Sequence, residues 1–412
     1  MAEIKAFPCL RPDPKYAASI AALPYDVYNR QEAKAVTQNN PLSFLKIDRA
    51  ETLCGEDTDI YSDEVYQKAK STLTQMEQDG YFIQDEAACY YIYELTMRGH
   101  TQTGLVGCAS IDDYVNGVIK KHENTRTDKE MDRIRHIDAC SAQTGPIFLA
   151  YRNSKQIREV IEQAKHSMPL YDFTSDDKVT HKVWKVDDIS KIAFLYNAFL
   201  DISSIYIADG HHRAASAVKV GLNRREQAGT YHGDEAYNYF LSVLFPEDEL
   251  NILPYNRVVY DLNGHDVPSF LDALTLQFHI EGTRRNSYAP KQRHEFGMYL
   301  DKKWYILTPK DDVILSDPID GLDVSILQDH VLDPILGIED PKLDTRISFV
   351  GGIRGLGALQ TAVDGLPLAV AFSMYPTSMD ELFRVSDSGG LMPPKSTWFE
   401  PKLRSGLFVH KL

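Results

Sequence analysis

A mixed α/β fold is predicted by three features of the 412-residue chain. Short β-prone apolar runs alternate along it with stretches whose apolar residues recur every three or four positions, the pattern of strands interleaved with amphipathic helices. One junction is sharp: Ile205-Tyr206-Ile207-Ala208 stops at Asp209-Gly210 and restarts at His211-His212-Arg213 as a helix carrying Ala214, Ala217 and Val218 at helical spacing. The chain is also longer than one core usually serves, and its hydrophobic content of 43% is that of an ordinary globular protein, so two or three packed units are expected.

Charge and cysteine usage narrow the function classes. The net charge of −15 disfavours nonspecific binding to nucleic acid or anionic membrane, so a positive site has to be built locally. No apolar run reaches the length of a membrane span and Met1-Ala2-Glu3-Ile4-Lys5 opens no signal peptide, so a cytoplasmic location is expected. Cys9, Cys54, Cys89, Cys108 and Cys140 are widely spaced with no Cys-x-x-Cys pair, which argues against a zinc site or a disulfide framework.

In chain order, the prolines of Phe7–Pro14 and Ala21–Val27 exclude regular helix and give an extended strap, with Arg11 read equally as strap and as site residue. Pro24 presets a turn that presents Tyr25 and Asp26, candidate substrate-binding residues. A helix is predicted over 59–80 from the stripe Tyr61, Val65, Ala69, Leu73 and Met76, ending at Gly80. Tyr90–Leu95 and Thr103–Ala109 read as strands paired around Arg98-Gly99-His100.

Thr127 with Glu130 is a capping-box pattern, so a helix is expected to start near Asp128. Lys129, Asp132, Arg133 and His136 then share one side, read as a solvated face laced with ion pairs, with Arg133 also a substrate-binding candidate. Lys121-His122-Glu123 lies before that helix, where a carboxylate could accept a hydroxyl proton during phosphoryl transfer. Buried strands are predicted at Gly145–Tyr151 and Asn238–Phe245, a helix at 154–168, and a half-buried strand at Val179–Val186 in which His181 is read as structural. Arg257 is read equally as structural and as a secondary phosphate residue.

Beyond 262 the helix and strand patterns carry no catalytic constellation. Gly351–Gly357 lacks both the third glycine of a dinucleotide loop and a Walker lysine, and is read as a strand-to-helix turn. Leu368–Met374 reads as a core strand leading into a helix over 378–387. Trp398-Phe399 in the tail argues against disorder, so Lys395, Ser396 and Thr397 are expected in a rigid loop, either a docking strap or a second phosphate-contacting element.

The chemistry concentrates at residues 209–213. Gly210 permits the tight turn, and Asp209 can cap the helix through its carboxylate. His211, His212 and Arg213 fall in the first turn, where unpaired N–H groups favour an anion and where three cations are costly without one. Arg213 adds a fork-shaped donor suited to phosphate. A plain strand–turn–helix is the structural alternative.

Ala208-Asp209-Gly210-His211-His212-Arg213 resembles the Asp-Gly-His-x-Arg signature of the ParB/sulfiredoxin superfamily, which includes ParB nucleotidases, sulfiredoxin and free-serine kinases. Arg11-Pro12, Pro24-Tyr25-Asp26, Asn40–Leu45 and the tail resemble the bacterial and archaeal domain-of-unknown-function family 1015 over nearly the whole chain. The resemblance implies an α/β (mixed α+β) fold with a ParB/sulfiredoxin-like core at 111–261, an N-terminal strap and α/β segment at 1–110, an accessory α/β unit at 262–340 and a C-terminal segment at 341–412 packed on the core. It implies ATP or ADP with Mg²⁺, and a phosphotransferase acting on a small hydroxylated metabolite such as free serine. A phosphatase acting on phosphoserine or a similar ester, and a ParB-like nucleotide switch with a DNA partner, are the alternatives. Glu123, Asp209 and His211 are the catalytic candidates. Gly210, His211, His212, Arg213, Lys121, His122, Arg126, Arg257, Lys395, Ser396 and Thr397 are the phosphate or nucleotide candidates.

Overall fold

The computed structural model describes residues 1–283 and 286–412, which fall into two compact units. The first comprises Met1–Leu250 and Pro401–Leu412, the second Asn251–Glu400. Residues 1–110 and 111–261 thus share the first unit up to Leu250, and the chain returns to that unit only for its last residues.

The first unit is built, among the described residues, on a mixed nine-stranded sheet. Its strands are β1 (Ile4–Lys5), β2 (Tyr90–Met97), β3 (His100–Ser110), β4 (Ile119–Lys120), β5 (Ile147–Tyr151), β6 (Tyr171–Thr174), β7 (Thr180–Val186), β8 (Ile205–Asp209) and β9 (Tyr239–Pro246). They lie in the order β4-β8-β5-β9-β3-β2-β7-β6, with β1 alongside β3. β2 and β3 form the expected hairpin, its turn made by Arg98 and Gly99 with φ of 52° and 83°. Helices α1 (Asp63–Gln78), α2 (Thr127–Cys140), α3 (Lys155–Ala164), α4 (Ile189–Leu200) and α5 (His211–Ala228) belong to this unit. The strands β5, β8 and β9 are apolar along their length because both faces are covered; Leu149, Ile207 and Phe240 are fully buried in one core with Ala214 and Ala217 of α5. A second cluster gathers the α1 stripe Val65, Ala69, Leu73 and Met76 with Phe44, Phe82 and Val409. Of the expected C-terminal segment only Pro401–Leu412 belong to this unit: His410 and Lys411 pair with Gln143 and Ala142, and Val409 bridges to Leu10.

The second unit carries, among the described residues, an antiparallel six-stranded sheet of β10 (Tyr255–Val259), β11 (Phe278–Thr283), β12 (Phe296–Leu300), β13 (Lys303–Pro309), β14 (Ile347–Gly351) and β15 (Val370–Ser373). Their order is β11-β13-β12-β15-β10-β14. The five cysteines are free, with Cys9, Cys89 and Cys108 buried. Among the described residues no helix is long and apolar enough to cross a membrane.

Candidate functional site

The site grows from a strand pair. β4 and β8 are adjacent and parallel, Ile119 opposite Ile205 and Lys120 opposite Tyr206, so the segments leaving their carboxyl ends emerge at the same end of the sheet. In open α/β sheets that end is where ligands bind. From β4 come Lys121, His122 and Glu123; from β8 come Gly210 and α5.

Gly210 has φ of 93°, and a Cβ added there would lie 2.9 Å from Arg213 Nη2, so both the turn and the folded-back guanidinium require glycine. The expected cap by Asp209 does not form. Gly210 occupies the N-cap position of α5 and has no side chain with which to cap it, because Asp209 still belongs to β8. Its carboxylate instead sits 3.5 Å from Arg213 Nη2 and 3.5 Å from Lys402 Nζ. Burial would raise its pKa, but Lys402 and Arg213 outweigh that and hold the carboxyl below its usual range.

The expectation of a strongly cationic helix start is corrected by burial. His122 is 2% exposed, its backbone N–H donates to His211 Nε2 at 3.4 Å, and the two rings meet edge-on with centroids 4.5 Å apart. Burial pushes His122 down to about 4 and His211 well below its ordinary value, so both are neutral at pH 7. His212 is lowered by burial too, and its Nε2 accepts the backbone N–H of Arg126 at 3.0 Å. Arg213 is the fixed cation of the turn; it donates to the carbonyl of Pro146, and its side chain is 12% exposed.

Helix α2 supplies the second correction. Arg126 is its N-cap and no side chain caps it: the Thr127 box is not made, and Thr125 instead donates its hydroxyl to Glu130. Its polar face is not solvated, since Asp132, Arg133 and His136 are all buried. They are tolerated because each is paired locally: Arg133 Nε donates to Asp132 at 2.9 Å, Tyr66 donates to the same carboxylate at 3.0 Å, and His136 Nε2 meets the Ile47 carbonyl at 3.0 Å. Ser216 of α5 donates to the Glu130 carbonyl at 3.0 Å, which locks the two helices together.

These elements border a narrow cleft with a cavity volume of about 30 Å³, lined by Tyr25, Arg133, Arg213, Asp48, Thr144 and Ser405 among others. The Arg133 guanidinium lies over the Tyr25 ring at 4.1 Å, and Thr144 donates to Asp48 at 2.6 Å. The cleft thus brings together Tyr25, Arg133 and Arg213. Lys121 and Asp26 are exposed, Glu123 is half-buried directly after His122, and the exposed Arg126 turns its guanidinium to Asp128 at 2.9 Å. Lys402, Asp48, Thr144 and Ser405 are site residues that the sequence does not reveal. Nothing local marks them, since each reaches the site through contacts far apart in the chain.

Arg257, Lys395, Ser396 and Thr397 belong to the second unit and do not join this cleft. Arg257 Nη2 donates to the Lys395 carbonyl at 3.1 Å, Thr377 donates to the Ser396 carbonyl at 2.9 Å, and Ser396 donates to Pro393 at 2.6 Å. These bonds tie the loop to neighbouring segments of the second unit.

The family model described as "Protein of unknown function (DUF1015)" matches residues 4–325. No curated protein matches the chain. Among solved structures, a C-terminally truncated SbnI from Staphylococcus aureus is 12% identical with a TM-score of 0.37, covering 74% of this chain and 86% of that one. A free serine kinase in complex with AMP is 13% identical with a TM-score of 0.35, covering 73% and 90%. A conserved hypothetical protein from Pyrococcus furiosus is 13% identical with a TM-score of 0.34, covering 73% and 92%. At these scores the likenesses carry no argument about function, which rests on the residues themselves.

Proposed function

The chain belongs to the DUF1015 family, and we propose that it is a phosphotransferase that binds ATP or ADP at the start of α5 and phosphorylates a small hydroxylated metabolite, with free serine the first candidate. The ParB/sulfiredoxin-like element is assigned to residues 111–261, which hold β4, α2, β5, β8 and α5. The observation that carries the reading is the first turn of α5. It opens an 18-residue helix whose N-cap is Gly210, a residue with no side chain to cap it, and it holds Arg213 at the carboxyl end of the parallel pair β4 and β8. Free amide donors, the positive end of the helix dipole and a guanidinium together favour a phosphate oxyanion.

Each residue then has a defined task. The α5 amides and Arg213 hold the phosphates, assisted by Lys121 and Arg126 near the mouth. Neutral His211 and His122 contribute hydrogen bonding without competing charge. Tyr25, Asp26 and Arg133 position the acceptor in the cleft. Its hydroxyl oxygen attacks the terminal phosphorus, the bond from that phosphorus to the departing nucleotide breaks, and Glu123 takes the hydroxyl proton.

Among the described residues no group of three or more His, Cys, Asp or Glu side chains is placed to hold a metal ion. Mg²⁺ arriving on the nucleotide phosphates needs only one or two carboxylates; Asp209 is the carboxylate at the turn that would hold it there, and the ion would supply charge neutralisation of the phosphates.

The test is phosphorus NMR on the wild-type chain incubated with ATP or ADP, Mg²⁺ and pooled amino acids and sugars, serine included. A new phosphate-monoester resonance that requires the chain and a hydroxylated acceptor is expected. Nucleotide that stays intact with every acceptor contradicts the reading.

A further inference from the structure

Arg257 is a buried charge that the α5 site does not use. It lies on β10 and is 3% exposed, yet both of its hydrogen bonds go to backbone carbonyls, those of Tyr255 and Lys395. Among the described residues no carboxylate forms an ion pair with it. The contrast within the chain is plain, since the buried Arg11, Arg133 and Arg404 each hold an aspartate. A guanidinium taken out of water without a counter-charge is costly, and carbonyl dipoles offset only part of that cost. Burial accordingly draws its pKa down to about 10.

A second cation faces the same surroundings from the tail. Lys395 has φ of 59°, a backbone conformation that turns its carbonyl onto Arg257 while its ammonium lies 5.6 Å over the Tyr255 ring. Arg257 in turn lies 5.5 Å over the Phe349 ring. Trp398 closes the aromatic wall, edge-on to Tyr255 at 4.9 Å and so close to Gly351 that a Cβ there would lie 2.9 Å from the indole. Lys395 is exposed, and Tyr255, Phe349 and Trp398 are half-buried, so the group opens to solvent at its rim. Two cations of different shape lie over the adjoining Phe349 and Tyr255 rings, whose centroids are 5.9 Å apart, and among the described residues neither is paired with an acid.

We propose that Arg257 and Lys395 form an anion site in the second unit that takes a phosphate group, independent of the nucleotide site at α5. A guanidinium fork and a point-like ammonium complement a dianion better than a single-charged carboxylate. The proposal does not rest on the phosphotransfer reading: the site is defined by residues 251–400 alone.

The test uses the full-length chain carrying Arg213→Ala, which weakens the α5 site, with inorganic phosphate as the probe and sodium chloride of equal ionic strength as the control. Equilibrium dialysis with labelled phosphate gives affinity, and tryptophan emission reports on Trp398. Phosphate binding with an emission change is expected in the Arg213→Ala chain. Lys395→Asn on that background, chosen because asparagine accepts positive φ, should weaken it at least tenfold, and Arg257→Gln should abolish it. The surface position of Lys395 keeps the test informative even if the Arg257 variant fails to fold. Phosphate affinity within twofold after Lys395→Asn, or no phosphate bound by the Arg213→Ala chain, overturns the proposal.

Discussion

The two units handle buried cations in opposite ways. At the mouth of β4 and β8, Arg213 faces Asp209 and Arg133 holds Asp132, so each guanidinium brings its own carboxylate. In the second unit, Arg257 bonds only to carbonyls and Lys395 lies over an aromatic ring. The difference separates two ways of attracting an anion. In the first unit local charge is nearly balanced and the histidines are neutral, so the proposed affinity comes from oriented N–H groups at the helix start together with Arg213. In the second, the proposed affinity comes from charge that has no acidic partner among the described residues.

The largest expected effect concerns chemistry. Glu123→Gln keeps the size and hydrogen bonding of the residue but removes its basicity, so turnover should fall by about two to four orders of magnitude with nucleotide affinity nearly unchanged. Steady-state kinetics beside nucleotide titration separates the two quantities, and equal loss in both would place Glu123 in binding.

Next is Arg213→Ala, expected to weaken nucleotide binding by roughly 1.5–3 kcal/mol, the scale of a charge-assisted hydrogen bond. Because Arg213 also holds the Pro146 carbonyl and is largely buried, this variant should lower the melting temperature as well. An intact affinity with a lowered melting temperature would leave the arginine purely structural and break the comparison on its first side.

The neutral histidines predict an acid limb. His122 has a folded pKa near 4 against about 6.5 unfolded, so the unfolded state binds more protons between these values. The stability it contributes is present above pH 6.5 and is lost as pH falls toward 4; about 2 kcal/mol of this disappears between pH 7 and 5. His211 acts in the same direction. Denaturant melts at pH 7 and 5 should show the loss, and His122→Gln should flatten it. Equal slopes in both proteins would mean that the pKa of this imidazole does not differ between the folded and unfolded chains. Comparable in size is Gly210→Ala, which forces a Cβ into a φ of 93° and against Arg213, at a cost of about 1–3 kcal/mol in unfolding free energy.

The mixed α/β class and the family were both legible in the sequence, the first from alternating strand and helix periods and the second from the Pro-Tyr-Asp and Asn-Pro-Leu elements. The strand–turn–helix at 205–217 was legible because its apolar run, glycine and small-residue helix are contiguous. What depends on tertiary burial was not. The charges of α2 looked solvated because Asp132 and Arg133 satisfy one another, and a self-paired polar face has the same pattern whether it meets water or Tyr25. The histidines looked cationic because protonation is set by burial. Asp209 looked like a cap because its preference for Lys402 joins residues far apart in the chain. The return of residues 401–412 to the first unit left no mark on composition, although the packed Trp398-Phe399 tail did.

The central claim, that the uncapped start of α5 is where phosphate binds, is tested most directly by following backbone amide resonances during an ADP titration. The account predicts that the amides of Gly210, His211, His212 and Arg213 show the largest shifts, saturating with the nucleotide affinity. ADP that binds while those four amides stay unmoved would contradict it.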